Sequence, residues 1–157
     1  MTDKNNNQPI MILGQFVKDL SFEHPDPLFS LNIPADKQPD MNVDVAINTK
    51  PAEQEGLYEV TLGVNVSAKA ADKTMFLLEL SYSAFVQVDM QAVEKDQLNP
   101  VLMINVPHML FPFVRGIIYN TVREGGLPPL MLNPIDFAAM YEANLQKDKP
   151  SSSKESA

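Results

Sequence analysis

Leu57-Tyr58-Glu59-Val60-Thr61-Leu62-Gly63-Val64-Asn65-Val66-Ser67-Ala68-Lys69-Ala70 runs through Ala71-Asp72-Lys73 into Thr74-Met75-Phe76-Leu77-Leu78-Glu79-Leu80-Ser81-Tyr82-Ser83-Ala84-Phe85-Val86-Gln87-Val88. Both halves alternate. In the first, Tyr58, Val60, Leu62, Val64, Val66 and Ala68 share a face, with Glu59, Thr61, Asn65, Ser67 and Lys69 on the other. In the second, Phe76, Leu78, Leu80, Tyr82, Ala84, Val86 and Val88 share a face. The opposite face, Met75, Leu77, Glu79, Ser81, Ser83, Phe85 and Gln87, is mixed. Period-two alternation sustained this long specifies strands. The short connection Ala71-Asp72-Lys73 makes them an antiparallel hairpin.

Toward the N-terminus, Asp40 to Asn48 alternates again, with Met41, Val43, Val45 and Ile47 inward. Before it, His24 to Pro39 contains Pro25, Pro27, Pro34 and Pro39, which is expected to forbid regular structure. So long a loop is often functional and lets the chain cross over. Ile10 to Glu23 reads as a long strand with Ile10, Ile12, Phe16, Leu20 and Phe22 on one face. Residues 1–9 read as a disordered arm.

Toward the C-terminus, Asn99 and Pro100 suggest a helix start followed by a short turn. A helix from Pro107 to Glu124 is expected to start or kink at Pro112 and to end at Gly125-Gly126. Asn133 and Pro134 are the expected cap and first residue of a second helix, with Asp136 in its first turn. From Lys147 onward the chain reads as a flexible tail. Four antiparallel strands followed by two helices give an α+β layer structure, one domain over 10–146 with a tail over 147–157.

The 157 residues carry 12 basic and 20 acidic side chains, a net charge of −8, with 45% hydrophobic residues and no cysteine. Disulfides, thiolate catalysis and Cys-type zinc sites are therefore excluded. Residues 1–100 hold 15 acids and 7 bases, the source of the whole imbalance. Such a chain is a poor candidate for nucleic acid or anionic lipid. The acidic surface serves solubility or meets a basic partner. The polar start, Met1 to Asn7, lacks the pattern of a signal peptide, and no apolar run approaches the roughly 18 residues of a membrane span. A cytoplasmic location is expected.

Chemistry is sparse. His24 and His108 have no Asp or Glu at metal-ligand spacing and read as surface or capping residues. Glu53/Glu55 and Glu94/Asp96 fall in expected loops and read as solvated carboxylates. No nucleophile elbow or phosphate loop is present, so neither enzyme activity nor a cofactor is expected. Apolar surface is in excess instead. Leu110, Phe111, Val114, Ile117, Ile118, Thr121 and Val122 form one broad helix face, while Met109, Phe113 and Tyr119 lie outside it. One four-stranded sheet covers one side of such a helix, so the rest of the cover is expected from another subunit. Nine methionines suit surfaces that accept varied apolar partners, or fill gaps in the core.

Several segments occur together in one order: Lys18-Asp19-Leu20-Ser21-Phe22-Glu23, Leu57-Tyr58-Glu59-Val60, Phe76-Leu77-Leu78-Glu79, Leu110-Phe111-Pro112-Phe113-Val114-Arg115, and Gly126-Leu127-Pro128-Pro129-Leu130-Met131-Leu132-Asn133-Pro134 with Asp136-Phe137. Over residues 10–145 the chain resembles SecB, the bacterial export-chaperone family. The resemblance implies an ATP-independent holdase, a homotetramer built as a dimer of dimers. It binds unfolded precursor proteins in apolar grooves and delivers them to the SecA ATPase. It implies a SecA-binding surface at Asp19, Glu23, Leu77 and Glu79. It also ties Leu78, Leu80 and Tyr82 to the tetramer interface, which the apolar helix extends to Leu110, Val114, Ile117 and Ile118. Phe29, Leu127, Leu130, Met131, Phe137 and Met140 are the candidate client groove. The family's tryptophan before the second strand corresponds to Lys37, and the Lys/Ser-containing tail is short. A small apolar-ligand carrier and a non-chaperone assembly adaptor are the alternatives to test.

Overall fold

The computed structural model describes residues 8–34 and 36–148. The proposed arm, except Gln8 and Pro9, and residues 149–157 of the expected tail lie outside the described residues. Four strands, β1 (Ile10–Glu23), β2 (Asp40–Pro51), β3 (Leu57–Ala70) and β4 (Lys73–Val88), form one antiparallel sheet in the order β1-β4-β3-β2. The hairpin joining β3 to β4 turns on Ala71 (φ 49°) and Asp72 (φ 62°), the left-handed pair that matches strand twist. The chain then forms α2 (Lys95–Pro100), a π-helical turn over Val101–Asn105, α3 (Val106–Glu124) and α4 (Phe137–Asp148).

The apolar faces of β3 and β4 lie in register, Val60 opposite Ala84, Leu62 opposite Tyr82, Val64 opposite Leu80 and Val66 opposite Leu78. All eight side chains are buried. α3 lays Val106, Leu110, Val114, Ile118 and Val122 on this face, and these five are fully buried. Their i, i+4 spacing makes one straight ridge, so the core is a sheet face closed by one helix.

Four expectations change. First, β1 does not keep one parity. Register shifts between Ile12 and Gly14, and between Val17 and Asp19, turn Phe16 to the outer face, where its ring lies 5.6 Å from that of Phe85. Two bulges restore the phase, so Leu20 and Phe22 face the helix again. Second, the proline loop contains a helical turn, α1 (Pro27–Leu31), because Asp26 Oδ1 accepts the Phe29 N–H (3.1 Å) and Pro27 suits a first helical position.

Third, Lys95 to Glu124 is one continuous helical path, with no turn between Pro100 and Pro107. The π turn falls between these prolines. The Val106 N–H reaches back to Val101 O, a wide turn that absorbs the donor missing at Pro107. Pro112 is exposed, and the helix runs through it. This path is long and apolar enough to cross a membrane, yet its core stripe packs on the sheet. Fourth, the last helix starts at Phe137, three residues later than expected. Asp136 is its cap, accepting the Ala139 N–H through Oδ1 (3.0 Å), and Lys147 and Asp148 belong to the helix instead of to a tail.

Candidate functional site

Antiparallel pairing decides which side chains share the outer face of the sheet. Glu23 stands opposite Leu77, Ser21 opposite Glu79 and Asp19 opposite Ser81. Across β3, Glu79 stands opposite Asn65, and Asn65 opposite Asp44 of β2. Asp19, Glu23, Leu77 and Glu79 therefore meet at one end of one face, all exposed. Asp44 adds a carboxylate that sequence reasoning did not single out. The clean alternation of β2 already placed it outward, but only pairing puts it in the row of Glu79. A shallow recess of about 130 Å³ lies there, lined in part by Asn42, Asp44, Asn65, Ser67, Leu77 and Glu79. Like charges gathered on a flat face raise the potential for a cationic partner.

On the helix side of the sheet, an open groove of about 380 Å³ runs between β2 and the connection from α3 to α4. Met41, Val43 and Val45 form one wall, and Leu130 through Ile135 form the other. Met41 (44% exposed), Val43 (39%) and Met131 (60%) leave apolar surface open to solvent. The groove exists because β2 is an edge strand beyond the reach of α3, while the proline-rich connection cannot pair with it. Only Leu130 and Met131 of the expected lining residues stand in it. Leu127 (8%) and Phe137 (2%) are core residues that hold the connection down. Phe29 and Met140 are half-buried against the core. The β2 wall was read as inward, and inward it is. What the alternation does not state is that Met41 and Val43, at one end of the edge strand, stay open to solvent.

The expected tetramer residues need a similar correction. Leu78, Leu80, Leu110, Val114 and Ile118 are each no more than 1% exposed within the single chain. Contacts with their own sheet and helix already consume their surface. Tyr82 is buried too (6%), and Ile117 is half-buried. The exposed apolar surface lies beside them: Met109 and Phe113 of α3, with Val17 and Leu20 of β1. Phe113 stacks on Tyr82 (6.3 Å between ring centres), and Tyr82 pairs with Val17.

His24 bonds with Gly125 and Ser30, and His108 is exposed on α3. Among the described residues no group of three or more His, Asp or Glu side chains is arranged to hold a metal.

A family model described as preprotein translocase subunit SecB matches residues 3–148. The chain is 45% identical over 143 residues to the protein-export protein SecB of Zymomonas mobilis, covering 88% of this chain and 82% of that one. It is 40% identical over 154 residues to the protein-export protein SecB of Nitrobacter hamburgensis, covering 94% of both chains. A SecB-like chaperone of Mycobacterium tuberculosis, solved in complex with a ChAD peptide from an antitoxin, shares the fold. Its TM-score is 0.58 at 14% identity, over 81% of this chain and 91% of that one.

Proposed function

The chain belongs to the SecB family, a family of protein-export chaperones, and on that premise we propose that it is an ATP-independent holdase acting in the cytoplasm. It binds unfolded precursors in its apolar groove, keeps them competent for translocation and delivers them to SecA from its acidic face. The observation that carries this reading is the open groove between Met41, Val43 and Val45 and the Leu130–Ile135 connection. Burial in such a groove is worth about 25 cal/mol per Å² whatever the client sequence, so it selects exposed apolar chain and not a motif. Folded proteins offer no extended apolar segment to enter it. Several copies in one assembly multiply the effect, because a second groove captures the same chain at high effective concentration.

Assembly as a dimer of dimers is part of the proposal, supported by the exposed strip of Met109, Phe113, Val17 and Leu20. Delivery draws on Asp19, Glu23, Leu77 and Glu79, whose face points away from the groove side of the sheet. Docking there leaves a bound client in place.

The test is refolding of a chemically unfolded, slow-folding precursor with and without this protein, in the absence of nucleotide. Arrest at about one assembly per client is the expected outcome, since binding of the unfolded state withdraws it from folding. Refolding at the free rate under saturating, assembled protein would sink the reading and bring the carrier and adaptor alternatives forward.

A further inference from the structure

The groove's two walls are reached by chain segments that meet at His24. Its Nδ1 lies 3.0 Å from the carbonyl oxygen of Gly125, and its Nε2 lies 2.9 Å from Ser30 Oγ. Gly125 O is an acceptor only, so Nδ1 carries the hydrogen and donates. The imidazole thus ties α1 to the end of α3. The chain after α1 leads to Met41 on the β2 wall. The chain after Gly125 leads to Leu130–Ile135 on the other wall.

The α1 side of this bridge is firmly held. Lys73, at the start of β4, is paired with the Asp26 cap and lies over the Phe29 ring, 4.7 Å from its centre. Backbone hydrogen bonds hold the other side only at its ends, and Leu132 alone is buried between them. Gly125, Gly126 and Leu127 bond back to Thr121, Arg123 and Val122, and Met140 bonds to Asp136. Between them, residues 128–135 make no backbone–backbone hydrogen bond among the described residues. A wall with no ladder of its own and one buried anchor, Leu132, takes its position largely from where its ends are fastened. The fastening is close: a Cβ on Gly125 would sit 2.5 Å from two carbons of the Phe22 ring, so glycine lets that ring seat against the backbone beside His24.

Resting on the holdase reading above, we propose that His24 is a positioning residue for the client groove. Its bond to Gly125 sets the spacing between the β2 wall and the connection, and with it the rate at which a client leaves.

The experiment uses the full-length assembled protein and a fluorescently labelled, chemically unfolded polypeptide, with release timed after adding excess unlabelled chain. His24→Ala should release the probe roughly threefold to tenfold faster, the range that loss of one hydrogen bond gives. Two further variants separate positioning from bulk. Asparagine places an amide nitrogen near the Nδ1 position and keeps the donor to Gly125. Glutamine reaches the Nε2 position and keeps only Ser30. His24→Asn should hold client as the unsubstituted protein does, and His24→Gln should release it as fast as His24→Ala. Hydrogen exchange should rise at Gly125, Gly126 and Leu127, whose N–H groups bond back to α3, in the alanine and glutamine variants alone.

Equal release by all four proteins would overturn the proposal, as would rescue by glutamine equal to that by asparagine. A uniform rise in exchange along the whole chain would reduce His24 to a general structural role and overturn it too. An unsubstituted protein that holds no client would instead bring down the holdase reading, and this proposal with it.

Discussion

Asp26 shows how much one side chain carries in a loop built of prolines. Its carboxylate caps α1 at the Phe29 N–H and accepts from Lys73 at the start of β4. The hydrogen bond from Lys73, and then that from the Phe29 backbone, hold its carboxyl below the ordinary aspartate range. A lowered folded-state pKa gives stability that is complete above the unfolded value and is lost as pH falls through the folded one. Asp26→Asn, which keeps a cap but loses the charge, should therefore lower the urea midpoint at neutral pH. The gap to the unsubstituted protein should close as pH drops below about 4. A gap independent of pH would mean that the ion pair is not its source. The prolines of this loop were legible as breakers. That Asp26 and Pro27 would still start a helical turn between them was written in the same residues, as a cap before a proline.

At the scale of elements, α3 is the member on which the sheet depends. Ile118 is fully buried over the sheet, together with Val114 and Val122 on the same ridge. Ile118→Ala should cost about 2–5 kcal/mol of unfolding free energy, measured by urea denaturation. A loss well under 1 kcal/mol would mean that the core collapses around the vacancy instead of holding its shape. Strand alternation was readable in β3 and β4 because one face packs under α3, and in β2 because its apolar residues share the groove side. β1 was harder. It is an edge strand with two bulges, and a bulge shifts parity without changing composition. The register shifts, not the residue types, turned Phe16 to the outer face beside Phe85. The seam at Pro100 and Pro107 was misread for a related reason. Proline says that a hydrogen bond is missing, but the wide turn over Val101–Asn105 removes the break that would follow from it.

At the scale of the whole molecule, two exposed surfaces carry predictions. Phe113 is 51% exposed over Tyr82, flanked by Met109, Val17 and Leu20. A contiguous apolar strip of this kind is a feature of protein interfaces. Phe113→Glu should shift sedimentation toward smaller species with an unchanged circular dichroism spectrum, because the side chain lies outside the core. An intact oligomer would place the interface elsewhere. On the outer face, Glu23→Lys combined with Glu79→Lys should abolish SecA binding, while arrest of client refolding persists. The two carboxylates belong to the sheet face turned away from the groove. Loss of both functions together would show damage to fold or assembly.

Much of this protein follows from local pattern. The strand hairpin, the buried stripe of α3 and the pairing of Asp19 with Glu23, and of Leu77 with Glu79, on common faces come from periodicities of two and 3.6 residues, and the helix end comes from Gly125-Gly126. The groove and the exposed apolar strip come from elsewhere. Leu127 and Phe137 are as apolar as Leu130 and Met131, yet the first two are buried and the second two line the groove. Leu110 and Met109 are neighbours on one helix with opposite fates. Apolar character says that a side chain seeks cover. Whether its own chain supplies that cover depends on which distant segments arrive above it, and only the tertiary structure decides that.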